Sequence, residues 1–411
     1  MLGGYDENTC SVCGFYEKTN YTPIVSHSYE TTYSHNSSFH WRDCKHCDAT
    51  TAYGEHTIDT SGFCSVCNQP FAPTEGLIYE LSADGTYAEV IDYSGAATRV
   101  AIADTYKGVP VTHIYSRAFY DKDIITTIVI PDSVTVIGNS AFCGCDNLTD
   151  ITIPVSVTAI DSEAFFACGN LTNVYLSDIA KWCAVSFGYG DANPFSWAKN
   201  LYLNGELVTE LIIPGGVTAI GERAFYCFSG FTGVTIPDSV VSIGACAFYN
   251  CKNLTSVTIP DSVAFVGGSA FYGCTKLSSA TIQGSETKIG SYAFSNCNSA
   301  LYTEYENGRY VGIGNNPYAI LCEIIDKKLI TYMVHTDTRI IEDSAFMGCN
   351  RLHNITIPRG LIAIGSSAFY DCFNLKAVNF CGTEEEWVAI EKGHEWNQGC
   401  SFNIVYNYSG S

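Results

Sequence analysis

The chain has 411 residues, of which 46% are apolar and 15% charged, and its net charge is −21. That length and apolar content suffice for a sizeable core in two or three domains. The acidic balance excludes nucleic-acid binding, which needs clustered Lys and Arg, and docking on anionic lipid; no stretch approaches the roughly 18 apolar residues of a membrane helix, so no membrane insertion is expected.

The first twenty residues, MLGGYDENTCSVCGFYEKTN, lack the apolar centre of a secretion signal. Taken literally, they begin a cytosolic protein; the other reading is a mature region whose export signal lies elsewhere. Residues 1–72 then form a compositional unit with three C-x-x-C pairs, Cys10/Cys13, Cys44/Cys47 and Cys64/Cys67, and five of the nine histidines. Zinc takes four N or S ligands in a tetrahedron, and one C-x-x-C knuckle supplies two. Cys44, Cys47, Cys64 and Cys67 have the spacing of a zinc ribbon, and His27 and His40 are the partners expected for Cys10 and Cys13. So short and polar a region needs a staple, and a structural Zn2+ is expected. Disulfides, or sites without metal, are the alternatives. Neither H-E-x-x-H nor a deaminase pattern is present, so a catalytic zinc is not expected.

Residues 73–110 read as capping strands, with alternating apolar residues in GLIYELSADGTYAEVIDYSG. Residues 111–380 carry a repeat marked by Ala-Phe. The marker phenylalanines are Phe119, Phe142, Phe165, Phe225, Phe248, Phe271, Phe294, Phe346 and Phe369, and within each block the step is 23 residues. The shared template is x-T-I-P-x-S-V-x-x-I-G-x-x-A-F-x-x-C-x-x-L-x-x. The triplet before Pro alternates in, out, in, as a short strand does, and Pro ends it. Val, Ile, Ala, Phe and Leu then recur at three- to five-residue steps, which predicts a tight, irregular or 3₁₀-like return. Gly138, Gly221, Gly244, Gly267, Gly290 and Gly365 read as turn residues with positive φ. A unit this short cannot bury its own apolar face, so equivalent units must stack. The expected fold is a β-rich solenoid, a right-handed superhelix of 23-residue units with short strands, behind a small zinc-ribbon-like module. Thr152, Thr235 and Thr258 would line its outer sheet face, either as β-formers or as ligand contacts.

Two interruptions break the phase, near 177–213 and 300–338. Asn204-Gly205 in the first is a hairpin signal, and Asp326-Lys327-Lys328 in the second reads as a turn between strands. Both are expected as hairpin elaborations. Insertions carry function more often than core repeats do, so Trp182, Tyr189, Trp197 and Tyr202 are candidate contacts, with a small core of the insertion's own as the alternative for them; Tyr175, just before the interruption, is a further candidate ligand contact. Residues 381–411 read as a C-terminal cap, with a short helix in TEEEWVAIEKG.

Seven cysteines stand three residues after the marker: Cys145, Cys168, Cys251, Cys274, Cys297, Cys349 and Cys372. A column at one repeating position predicts packing as free buried thiols rather than pairing, which suits a reducing or anaerobic setting. No nucleophile elbow, P-loop or dinucleotide fingerprint is present, so no enzyme is expected.

The template, as in Ile236–Leu254, resembles the BspA-like, or Treponema pallidum-type, leucine-rich-repeat family. The segments AKWCAVSFGYGDANPFSWAKNLYLNGE and GTEEEWVAIEKGHEWN also resemble parts of its members, and HSYETTYSHNSSFHWRDCKHC resembles modules found beside such arrays. The resemblance implies a non-enzymatic interaction or adhesion protein at a cell surface or secreted, whose partner is a protein or glycan. An intracellular scaffold, or an accessory region of a carbohydrate- or peptide-active enzyme, is the other expectation.

Overall fold

The computed structural model describes residues 73–284 and 287–409, and the backbone of three short strands before them. Those strands, Ser34–His35, Phe39–Asp43 and Thr50–Glu55, pair antiparallel in that order.

From residue 73 onward the chain is a β-solenoid of stacked coils. One coil shows how the repeat builds it. Ile151 and Ile153 are buried while Thr152 is exposed, and Pro154 follows the strand Asp150–Thr152. Val157 turns back into the core, and a second strand, Ala159–Ile160, follows. The strands Thr127–Val129, Asp150–Thr152, Asn173–Leu176 and Asn200–Leu203 stack parallel in a first sheet. Val136–Ile137, Ala159–Ile160 and Ser186–Phe187 stack parallel in a second. The repeat predicts only one strand per unit. The second strand is two residues long, too short for period-two alternation to register.

The stretch around each marker Phe forms the third side. There, alternate amides bond across to the next coil and back along their own. Phe142 N–H donates to Ala164 O at 2.8 Å, whereas Cys145 N–H donates to Phe142 O at 3.1 Å. This alternation places left-handed residues two before and two after the marker: Ser140 (φ 52°) and Gly144 (φ 73°) around Phe142, Cys246 and Asn250 (both φ 54°) around Phe248. Most of these positions are not glycine, so each costs about 1 kcal/mol, offset by the bonds between coils. The template glycines have a different role from the one their position suggests. Gly138, Gly221, Gly244, Gly267, Gly290 and Gly365 are not among the positive-φ residues. A Cβ on Gly267 would instead come within 2.4 Å of Ala245 N, and one on Gly138 within 2.7 Å of Ile114 O. They permit close approach of coil to coil.

The marker rings Phe119, Phe142, Phe165, Phe225, Phe248, Phe271, Phe294, Phe346 and Phe369 are buried. They stack in runs, with centroids 5.2 Å apart for Phe119–Phe142, 5.4 Å for Phe225–Phe248 and 4.9 Å for Phe346–Phe369. Offset stacking of this kind adds to plain burial. Beside them runs the cysteine column, whose thiols are free. Most of them make the same hydrogen bond. Cys145 Sγ donates to Phe119 O at 3.0 Å, Cys168 to Phe142 O at 3.1 Å, Cys251 to Phe225 O at 3.2 Å, Cys274 to Phe248 O at 3.2 Å, Cys297 to Phe271 O at 3.3 Å and Cys372 to Phe346 O at 3.1 Å. The Phe142 carbonyl already takes the amide of Cys145, so the Cys168 thiol of the next coil fills its second lone pair. Cys400 joins the column, donating to Phe369 O at 3.0 Å. It escapes the sequence pattern because its unit lacks the marker Phe.

Neither interruption is simply a hairpin on the edge. Residues 177–203 complete a coil of their own: the helix Ile179–Trp182, N-capped by Asp178, replaces the proline turn, and Ser186–Phe187 continues the second sheet. Only Asn200–Leu203 and Glu206–Leu207 form the expected hairpin, through Asn204 and Gly205 at φ 51° and 86°. The C-terminal coil repeats this design with the helix Glu384–Ala389, closed by a capping box between Thr383 and Glu386. In both, a tryptophan, Trp182 or Trp387, enters the core.

The second interruption is an antiparallel meander of Thr303–Tyr305, Gly308–Ile313 and Asn316–Ile324. Residues 326–328 do form a turn, yet not a hairpin: Asn316–Ile324 pairs with Ile340–Ile341, whereas Thr331–Met333 pairs with Asn354–Ile357 in the other sheet. The meander stands as a wall inside the solenoid. Val311, Ile313, Ile320 and Cys322 belong to one hydrophobic core, and Tyr310, Leu321 and Ile324 to another that continues to Ile390.

At the N-terminal end, Leu77–Leu81 pairs antiparallel with Ala88–Tyr93, which runs parallel to Val109–Ile114. At the other, Asn403–Val405 pairs parallel beside Ala377–Phe380. Among the described residues no helix is long and apolar enough to cross a membrane.

Candidate functional site

Regular coils are clamped on the third side by an asparagine five residues after the marker. Asn147 Nδ2 donates to Asp123 O, Asn170 to Asp146 O and Asn253 to Ser229 O, each at 2.7 Å, and Asn374 to Asn350 O at 2.6 Å. This explains the recurring Asn-Leu-Thr, whose asparagines serve the stack.

At the first interruption the clamp is lost. Strand register aligns Asp150, Asn173 and Asn200 in one stack, and Gly233 and Ser256 in the next. Three residues before Asp150, Asn173 and Ser256 stand the clamping residues Asn147, Asn170 and Asn253. Three before Asn200 and Gly233 stand Trp197 and Gly230 instead. The hairpin Asn200–Leu203/Glu206–Leu207 also adds a strand pair to the first sheet that the third side does not match. At this mismatch a groove of 560 Å³ opens. It is lined by Ser196, Trp197 and Lys199 of the insertion coil, by Cys227, Ser229 and Gly230 of the next, and by Asn250, Lys252 and Asn253 of the one after. The volume falls within the range of small-molecule sites.

The polar groups there are unevenly satisfied. Trp197 is half-buried against the core, yet its indole Nε1 is buried without a hydrogen-bond partner, as is Ser196 Oγ. Buried donors are rarely left so. Lys199 and Lys252 are exposed, and neither is in an ion pair among the described residues. Burial raises the Cys227 thiol to about 11, against hydrogen bonds from Asn250 and Tyr226 that lower it, so it stays protonated at neutral pH.

Trp197 is the one contact candidate in this groove. Trp182 is buried in the core, its Nε1 donating to Ala224 O at 2.7 Å. It ties the insertion coil to the next and is not available at the surface. Tyr189 is exposed under Arg223, whose guanidinium lies 4.7 Å from its ring centroid. Thr152, Tyr175 and Tyr202 form one outward row of the first sheet. The tyrosine rings there stack at 4.9 Å, and Tyr175 hydroxyl donates to Asp150 Oδ1 at 3.2 Å. Burial, then the Asp150 charge, raises that hydroxyl to about 12. Thr235 and Thr258 are exposed on the same sheet side, Thr235 level with Ile212 and Thr258 with Thr281. The groove and the threonine row are therefore separate surfaces. Lys199, Lys252, Asn250 and Ser196 are not marked by any motif; the available signal was Trp197 at a position that Asn147, Asn170 and Asn253 hold in other units.

Of the metal candidates, Cys10, Cys13, His27, Cys44, Cys47, Cys64 and Cys67 lie outside the described residues. His40 lies in the strand Phe39–Asp43, in register with His35 and Gly54. No group of three His, Cys, Asp or Glu that could hold a metal occurs among the described residues.

Short parallel strands, a proline-ended outer sheet and a stacked Phe line define a leucine-rich-repeat solenoid. The sequence comparison agrees: six copies of the BspA type leucine-rich-repeat region match residues 112–189, 197–314 and 326–389. The chain belongs to the BspA-type leucine-rich-repeat family. Among solved structures, a leucine-rich-repeat protein of T. pallidum is 21% identical over 68% of this chain and 90% of its own, with a TM-score of 0.33. A leucine-rich cell surface protein of Faecalibacterium prausnitzii is 24% identical over 78% and 97%, with a TM-score of 0.35. One from Bacteroides ovatus is 24% identical over 80% and 98%, with a TM-score of 0.37. No curated protein matches the chain.

Proposed function

We propose that this chain is a non-enzymatic interaction solenoid of a bacterial cell surface that binds host or microbial macromolecules, protein or glycan. The observation that carries the reading is the groove at the first interruption, where the regular stack gives up a clamp and two exposed lysines line the opening. Family membership supports a role in interaction. The test is a screen of the purified chain on glycan and extracellular-matrix arrays, with binding that weakens in Trp197→Ala. An array without any binding would overturn the reading.

A second reading, an intracellular scaffold, is favoured by the free thiols of the column. Locating the native protein by surface proteolysis of intact cells separates the two. We also propose that Cys10, Cys13, His27, His40, Cys44, Cys47, Cys64 and Cys67 hold structural zinc. Metal analysis should then find about one or two zinc ions per chain; a metal-free protein prepared without chelator would reject this.

A further inference from the structure

We propose that the groove between the insertion coil and the two coils after it binds an acidic saccharide, with Lys199 and Lys252 taking its carboxylate. This rests on the interaction reading above and names the ligand class of that site.

Four observations carry it. First, the groove is built in and not incidental: it lies where the clamp position holds Trp197 and Gly230 and where a strand pair is added on one side only. Second, its charge runs against that of the molecule. In a chain of net charge −21, two exposed lysines from different coils wall one groove, and neither is in an ion pair among the described residues. Two ammonium groups offer a carboxylate complementary charge and several donors. Third, Asn250 and Asn253 line the groove, and each has spent one amide N–H, on the Cys227 thiol and on Ser229 O respectively. The second N–H and the side-chain oxygen of each supply a donor and an acceptor, the pairing that a hydroxyl needs. Fourth, none of the lining residues lies in a strand. A peptide therefore finds no sheet edge to extend here, the commonest way of gripping an extended backbone on a β-protein. The indole beside the polar groups gives a flat apolar surface for the carbon face of a pyranose.

The test uses the whole chain and two probes, a glucuronate-containing tetrasaccharide and the same oligosaccharide after reduction of its carboxyl groups. Calorimetric titration should give binding of the acid form and about tenfold weaker binding of the reduced form. Lys199→Ala and Lys252→Ala should each weaken the acid form several-fold and leave the reduced form unchanged, while Lys199→Arg retains binding. Trp197→Ala removes the flat ring and should weaken both probes alike. Absence of binding by the acid form at millimolar concentration, equal affinity for the two probes, or Lys199→Ala behaving as the parent would overturn the proposal. So would a tetraglutamate peptide binding as tightly as the saccharide. Array binding to other ligands that survives both lysine changes would sink the groove assignment and leave the interaction function standing; absence of all array binding would sink both.

Discussion

Glu342 is a carboxylic acid sealed where the two cores meet, and its replacement by Gln gives a sharp test of that seam. Its Oε1 is buried without a partner, and Oε2 accepts a long bond from Ser295 Oγ at 3.5 Å. Burial, with the nearby Asp343 and Glu323 charges adding to it, raises the carboxyl from its ordinary 4.5 to about 8, against lowering contacts from Cys322 and Ser295. The sign follows from linkage. A folded-state value above the unfolded one means stability that is complete below about 4.5 and is lost as pH rises through about 8. At about 1.4 kcal/mol for each pH unit, that gap sets a ceiling of about 5 kcal/mol, and relaxation of the site brings the expected loss to about 2–4 kcal/mol. Glu342→Gln keeps the shape and cannot ionise. Its urea midpoint should match the parent at pH ~4 and exceed it clearly at pH ~9, at least an order of magnitude in the folding constant. Hydrogen exchange of Asn316–Ile324 and Ile340–Ile341 should slow in the variant at the higher pH only. If parent and variant lost equal stability between the two pH values, the account of Glu342 as a buried, protonated acid would fail.

Four further outcomes follow from the stack. Phe248→Ala removes a ring held between Phe225 and Phe271 at 5.4 and 5.2 Å, and should cost about 3–5 kcal/mol by denaturant titration. Cys251→Ala loses the thiol bond to Phe225 O and should cost about 1–2 kcal/mol, and Cys251→Ser should recover part of it. Because burial raises Cys145 and Cys274 to about 12, both should resist a disulfide reagent at pH ~8 in the folded chain and react fully in urea, as read by mass spectrometry of labelled peptides. Asn147→Ala leaves Asp123 O without its clamp, and should lower stability by about 1 kcal/mol with faster exchange confined to the two coils it joins.

Much of this architecture was legible because a repeat shows each structural requirement many times. Ile-Thr-Ile-Pro declared a strand and its end, and Ala-Phe declared the core line. What stayed hidden has physical causes. Pairs of left-handed residues leave no mark when Ser140, Cys246 and Arg223 adopt them in place of glycine, since the bonds across coils outweigh the local cost. The template glycine suggested a positive φ, whereas its real constraint is the backbone of the coil below, a contact absent from any local pattern. Trp182 and Trp197 looked alike as insertion aromatics. Only the three-dimensional course of residues 177–203 sends the first into the core and the second to a groove wall. The lysines of that groove come from different coils, so no spacing along the chain could have joined them.

The wall made by Gly308–Ile313 and Asn316–Ile324 has a mechanical consequence. In a stack held by nearest neighbours, loss of one coil exposes the next and fraying travels inward from an end. A bulkhead that presents a complete apolar face to each compartment interrupts that travel: the C-terminal third can come apart and still leave the other side of the bulkhead sealed. Under tension between its ends the chain should therefore yield in two separate events, and a solenoid built this way can give length under load while one compartment stays closed.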